Sequence, residues 1–353
     1  MGLENQSKRI EWIDILKGFA IICVILGHRK YGNNGLLSTY FVSEVYSFHI
    51  PLFFFASGLV FSIAKYDSFK NFLIKKIKTI LVPMVFFSFI QILFNFAYYG
   101  VLLGSKNADY GINYFFNSLL GIILQIRNGK YEATLWFFSC LFITQCIFYW
   151  VIKIFKNRTF PIILTIGICF VLGSIYMLLG LPRLPWNADC AFIAILFLGL
   201  GYIIKNENNI MNRINTIWLI PFLMLLNVLT MYLNYNYMGK DHVDLALSCI
   251  GFPLWYFLES IAGVWLIFIV VSKIKTCKPL SYIGKNSLVY YGLVDLMVFI
   301  PDIIIFNILH LDIKSTGDWS VLINFIYAIV VCISIVPINE LINRKLKFIK
   351  GQF

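Results

Sequence analysis

The sequence is short of charge. Of its 353 residues only 13% are Asp, Glu, Lys or Arg and four are histidine, while 60% are hydrophobic; an average soluble domain is roughly 25% charged. A soluble fold could not cover that much apolar surface. The chain also lacks a P-loop, a GxSxG elbow, an HExxH pair and a GxGxxG opening a helix. ATP-driven transport, serine hydrolysis, zinc proteolysis and dinucleotide chemistry therefore have no support. The eight cysteines form no CxxC pair and have no histidine at ligand spacing, so they read as small buried hydrophobes and no metal is expected. The formal net charge of +12 is spread over short loops, which argues against nucleic acid as a partner.

What the chain does have is a series of apolar runs about 20 residues long, the length that crosses a hydrocarbon core of about 30 Å. Spans are predicted near 11–30, 41–63, 79–104, 134–156, 160–180, 188–205, 214–234, 248–272, 284–309 and 320–343. This is an all-α integral membrane protein, a bundle of about ten transmembrane helices with the lipid bilayer as its solvent. Between Tyr114 and Ile126 lies an apolar stretch too short to cross, which fits an interfacial or re-entrant helix. The first apolar stretch carries Asp14 and Lys17 and is followed by no small-residue cleavage site, so it is expected to be retained.

An even number of spans puts both termini on one side. With that side and the loops after spans 2, 4, 6 and 8 in the cytoplasm, most of the 29 lysines and arginines are cytoplasmic. The opposite side receives only Arg29, Lys30, Lys106, Arg127, Lys130, Arg183, Lys240 and Lys314. The positive-inside rule then predicts cytoplasmic termini. With no internal repeat or low-complexity linker, residues 1–353 read as a single membrane domain.

Ionisable residues inside a bilayer are costly and are the first functional candidates. In span 1, Asp14 and Lys17 share a helix face and can neutralise each other. Lys17 and His28 project from one stripe, roughly 16 Å apart along the axis. His28 reads either as a general base or nucleophile near neutral pH or as a snorkelling interfacial side chain. His49, just before Pro51 in Phe48-His49-Ile50-Pro51, reads either as a group beside free backbone N–H donors that could hold an oxyanion, or as a helix cap. Ser57-Gly58 allows close helix packing.

The cluster Lys75, Lys76 and Lys78 ahead of Pro83 suits the phosphates of a soluble anionic cofactor, and equally anionic lipid headgroups or topology alone. Trp136 and Trp186 fit interfacial anchors. Glu259 and Asp295 are acids well inside apolar runs, and Asn286-Ser287 opens span 9.

These residues together resemble the acyltransferase 3 family of multi-pass membrane acyltransferases, in particular the branch that modifies bacterial polysaccharides. The resemblance runs over nearly the whole chain. Its most specific part is Arg9-x-x-Trp12-Ile-Asp14-Ile-Leu-Lys17-Gly-Phe-Ala-Ile-x-x-Val-x-x-Gly27-His28, with Lys17 where much of the family has arginine. Phe48 to Gly58 is similar to the family's second-helix motif, and Lys75 to Pro83 to its basic stretch. Leu135-Trp136-Phe137-Phe138 and Gly284-Lys285-Asn286-Ser287-Leu288 match weaker signatures. Where many relatives have a histidine about seven residues after the serine of the Asn-Ser motif, this chain has Val294 and then Asp295.

The resemblance implies a cytoplasmic acetyl-CoA or other acyl-CoA donor and a sugar hydroxyl, in a glycan or a lipid-linked precursor, as acceptor. It implies His28 as base or transient acyl carrier, supported by Lys17 and Asp14, with His49 assisting. Lys75, Lys76 and Lys78 would meet the phosphates of coenzyme A, and Trp136, Glu259, Asn286, Ser287 and Asp295 would serve the substrate. The expected activity is O-acylation, most simply O-acetylation, of a cell-envelope or exported polysaccharide at a bacterial inner or plasma membrane. The sequence leaves room for a homo-oligomer. Two other readings remain open: a transporter or flippase that moves a glycan intermediate without chemistry, and a sensing or partner subunit.

Overall fold

The computed structural model describes residues 10–28, 35–97, 112–127, 135–207, 216–239, 241–302 and 317–351. Among the described residues the regular structure is helical, and the β pairing amounts to one isolated bridge between Asp244 and Cys249. In chain order the helices are α1 (Glu11–Gly27), α2 (Leu36–Leu59), α3 (Phe69–Asn95), α4 (Ile112–Leu124), α5 (Trp136–Phe155) and α6 (Thr159–Leu178). They continue with α7 (Pro185–Asn206), α8 (Ile217–Tyr237), α9 (Pro253–Ser272), α10 (Lys278–Lys285), α11 (Ser287–Met297), α12 (Phe299–Asp302) and α13 (Ser320–Lys345). Every predicted span overlaps a helix, and the short apolar stretch is α4.

Seven of the described helices, α3, α5, α6, α7, α8, α9 and α13, are long and apolar enough to cross a membrane. Their outer faces are apolar, as at Phe160, Leu225 and Ile333, because lipid offers no partner for a polar group. Of the remaining predicted spans, α1 has 17 residues and α2 is interrupted by Ser, Glu and His. Both are enclosed by other helices, with Ile15, Leu16, Phe54 and Phe55 fully buried. A helix that faces protein on all sides can carry polar groups that a lipid-facing one cannot.

Two predicted boundaries are corrected. Span 9 is not one helix over 284–309; it is broken at Asn286 and Val298 into α10, α11 and α12, and residues 303–309 lie outside the described residues. At Asn286 the side-chain Nδ2 donates to the Tyr282 carbonyl (2.8 Å), the local bonding by which asparagine competes with a helix. Span 3 starts earlier than predicted, at Phe69, so Lys75, Lys76 and Lys78 lie in its first turns and not in a loop. A π-turn over Ile77–Leu81 precedes Pro83. Proline has no N–H and its ring crowds the carbonyl four residues back, here that of Thr79, so the helix widens at this point.

Pro51 lies well inside α2. It cannot donate to the Ser47 carbonyl, and the hydroxyl of Ser260 in α9 does so instead at 2.6 Å. The helix thereby runs through its proline without an orphan acceptor.

Close backbone approaches set the rest. A Cβ at Gly284 would stand 1.7 Å from the Asp14 carbonyl oxygen, and one at Gly18 would stand 2.1 Å from that of Leu280, so α1 and α10 touch main chain to main chain. Gly58 and Gly201 do the same for α2 and α7, where a Cβ would meet the Leu198 and Phe55 oxygens at 1.9 and 2.1 Å. This is the small-residue packing available where lipid gives no hydrophobic drive. Gly284→Ala should therefore cost about 1–3 kcal/mol or more through forced separation of α1 and α10. Gly167→Ala, which meets nothing within 4 Å, should keep stability or raise it by up to about 1 kcal/mol, since alanine is the better helix former; thermal unfolding in detergent compares the two.

Candidate functional site

His28 caps the C-terminus of α1, its N–H bonded to the Val24 carbonyl at 2.9 Å. Its side chain is 41% exposed and its Nδ1 stands 3.4 Å from Oδ1 of Asp295 near the end of α11. Asp295, which follows Val294 at the place where the resemblance expects a histidine, thus faces the histidine at the end of α1. A carboxylate beside Nδ1 attracts a proton to that nitrogen, and a ring protonated there keeps its lone pair on Nε2, the orientation a general base needs.

Tyr46 fixes this end of α1. Its hydroxyl donates to the Gly27 carbonyl at 3.0 Å, satisfying one of the acceptors that a helix C-terminus leaves open. The Tyr46 ring packs edge-on to His49, centroids 5.0 Å apart, and against His242 at 4.3 Å. Three of the four histidines therefore gather around one tyrosine; the fourth, His310, lies outside the described residues.

His49 is buried, with Nδ1 2.8 Å from the Val45 carbonyl. A carbonyl only accepts, so Nδ1 carries the proton and Nε2 the lone pair. The oxyanion and helix-cap readings do not hold, because α2 begins at Leu36 and His49 sits in its interior, where the backbone N–H groups are already bonded. His242 lies in the loop between α8 and α9, its Nδ1 3.1 Å from Oδ1 of Asp241.

The other predicted residues fall elsewhere. Asp14 is buried against α10, and Lys17 lies within electrostatic reach of Lys76, toward the end of the bundle opposite His28. Lys76 is half-buried, with Nζ 5.8 and 5.3 Å from the ring centroids of Phe61 and Phe72, a cation–π setting. Lys75 and Lys78 are exposed. Asn286 joins this end too: with Asn339 and Asn343 it surrounds the Lys350 ammonium, whose Nζ donates to Asn286 Oδ1 at 2.7 Å and Asn339 Oδ1 at 3.0 Å. Ser287 opens α11 beside it. Burial lowers the Lys350 pKa, against an upward pull from Glu340.

Trp136 is buried inside the bundle, so it is not an exposed interfacial anchor. Its carbonyl accepts from Ser139 Oγ at 2.8 Å. Glu259 is buried and accepts from Asn234 Nδ2 at 3.0 Å, while Asn227 Nδ2 donates to its main-chain carbonyl at 2.8 Å. That arrangement ties α8 to α9. The predicted set is thus divided: His28, His49 and Asp295 share one end, and the lysines, Asp14 and Asn286 the other.

Sequence reasoning missed Tyr46 and His242; Asp189 stands out as a polar point before span 6, but its pairing with Arg183 was not foreseen. Tyr46 stands three residues before His49 on the same helix face, a signal that was available. His242 gives none, since only the fold brings its loop over Tyr46. Arg183 Nε lies 2.6 Å from Asp189 Oδ2, and the same guanidinium donates to the Ala246 carbonyl at 2.8 Å. The His242 loop is thereby anchored to the start of α7. Among the described residues no three His, Cys, Asp or Glu side chains come together as a metal site.

Seven membrane-length helices, with a partly exposed histidine–carboxylate pair at one end of their bundle, define a multi-pass membrane protein. The chain belongs to the acyltransferase 3 family: the family model, described as an acyltransferase domain, matches residues 10–340. Comparison with curated proteins and with solved structures finds no match.

Breaking the buried Arg183–Asp189 pair with Arg183→Met should destabilise the fold by about 3–5 kcal/mol, because Asp189 is left uncompensated. The double variant Arg183→Met/Asp189→Leu should recover only part of that loss in the same unfolding assay, because the Ala246 carbonyl and the Ser248 hydroxyl lose their partners as well.

Proposed function

We propose that this protein transfers an acyl group, acetyl in the first instance, from cytoplasmic acyl-CoA to a hydroxyl of a cell-envelope or exported glycan or its lipid-linked precursor. The observation that carries the reading is the His28–Asp295 pair in a chain of an acyltransferase family. In this account about ten helices span a bacterial inner or plasma membrane, with both termini cytoplasmic. Residues 1–353 act as one domain, and neither a metal nor a resident organic cofactor takes part.

His28 Nε2 accepts the proton of the sugar hydroxyl as its oxygen attacks the thioester carbonyl. The C–S bond breaks, the thiolate leaves, and the imidazolium returns the proton to give free coenzyme A and the ester. Asp295 keeps the ring oriented and stabilises its charged form. Lys75 and Lys78, both exposed, take the donor's phosphates, while Lys76, held over Phe61 and Phe72, adds its charge beside them. Lys17 lies on α1 at the lysine end, within electrostatic reach of Lys76, and adds positive charge where the donor enters. His49, with its Nε2 lone pair, and Trp136 shape the inner wall of the centre.

A second reading, glycan transport without chemistry, draws on the break of α10, α11 and α12, since interrupted helices line many transport paths. Acyl transfer separates the two. Membranes given radiolabelled acetyl-CoA should acylate glycan with the wild type and not with His28→Ala at equal folded protein. Asp295→Asn should lower kcat about a hundredfold while leaving the KM for acetyl-CoA near wild type. A fully active His28→Ala, or a wild type inert with both acetyl-CoA and succinyl-CoA, would favour transport.

A further inference from the structure

The end of the molecule that holds His28 carries an aromatic shelf that the centre itself does not use. Tyr40 of α2 packs against two tyrosines near the end of α8, Tyr235 at 5.4 Å and 64° and Tyr232 at 6.1 Å and 51°. Tyr232 is 48% exposed. Asp241 and Tyr40 are close enough to act electrostatically on Tyr235. The Asp241 side chain is 72% exposed and pairs with His242, whose ring lies 4.3 Å from that of Tyr46. Tyr46 in turn holds the end of α1 from which His28 projects. The tyrosines, the Asp241–His242 pair and the Tyr46 ring thus lie on the same end of the molecule as His28.

We infer that Tyr40, Tyr232, Tyr235, Asp241 and His242 form a binding site for a neutral sugar chain, and that this is where the acyl acceptor docks. A pyranose ring offers polarised C–H groups on its faces and hydroxyls around its rim. Aromatic faces carry a negative quadrupole that attracts such C–H groups. An ionised carboxylate accepts two or more hydroxyl protons, and an imidazole held by its own carboxylate accepts one more at Nε2. Asp241 and Asp244 place acids on the loop, whereas the exposed Lys75 and Lys78 that suit the donor's phosphates lie at the opposite end. Of the three rings Tyr232 is the most open to solvent, at 48% exposure, and offers a face on which a flat sugar ring can stack.

That the bound sugar is the acyl acceptor rests on the acyltransferase reading, but the site can be measured without it. Purified full-length protein in nanodiscs is titrated with neutral oligosaccharides released from the source cell's envelope, and binding is read by saturation-transfer NMR and calorimetry. The wild type should bind. Tyr235→Ala and Asp241→Asn should each raise Kd about tenfold or more, and Tyr235→Phe, which keeps the ring, should stay within a fewfold of wild type. Asp241→Asn alters an exposed side chain, so its effect does not depend on refolding. In the transfer assay the same two variants should raise the half-saturating glycan concentration and leave that of acetyl-CoA unchanged. Wild-type binding that neither variant weakens, no binding at all, or preference for choline over the oligosaccharides would overturn the site and leave the tyrosines as an interfacial belt. Sugar binding that depends on Tyr235 and Asp241 without any acyl transfer would instead overturn the acyltransferase reading and leave the site standing.

Discussion

The contact on which the rest of the molecule depends is that of α1 with α10, main chain against main chain at Gly18 and Gly284. Lipid gives two helices no hydrophobic reason to associate, so close packing must supply it. Fixing α1 there fixes where its C-terminus emerges. Gly27 then offers its carbonyl to Tyr46, and His28 meets Asp295. The break at Asn286 belongs to the same arrangement, since it separates α10, which grips α1, from α11, which carries Asp295 to the far end.

The two ends of the bundle differ in charge and in chemistry. One holds exposed lysines on a helix widened by a π-turn, together with the amide-lined Lys350. The other gathers imidazoles, carboxylates and tyrosine rings. A reaction between an anionic donor and a neutral acceptor fits such a division, because each partner is attracted to its own end and repelled or ignored at the other. The interior between them is packed with apolar side chains such as Ile21, Phe54 and Phe55. In the proposed mechanism the donor's uncharged arm has to part these side chains to reach His28.

Much of this was legible in the sequence, and the limits have physical causes. Long apolar runs announce helices because a bilayer leaves the backbone no other partner, and each predicted span met one. His28 and Asp295 stood out as ionisable groups in apolar surroundings, but that they face each other depends on the packing of α1 against α11, which no spacing encodes. His49 was misread because Pro51 looked like a helix start. The hydroxyl of Ser260, more than two hundred residues away in the chain, makes the proline harmless within α2. Asn286 and Glu259 signalled polar work inside the membrane, and they do it as knots that join helices. His242 carried no signal, since only the tie of Arg183 to Asp189 and Ala246 brings its loop into place.

The central claim is that Asp295 sets the His28 imidazole with its proton on Nδ1 and its lone pair on Nε2. The direct measurement is nitrogen NMR of histidine-labelled protein in nanodiscs at a pH where the ring is neutral, with His28 assigned by its loss in His28→Ala. The account predicts the Nδ1–H tautomer for His28 in the wild type and loss of that preference in Asp295→Asn. An Nε2–H ring in the wild type, or a tautomer indifferent to Asp295, would contradict it.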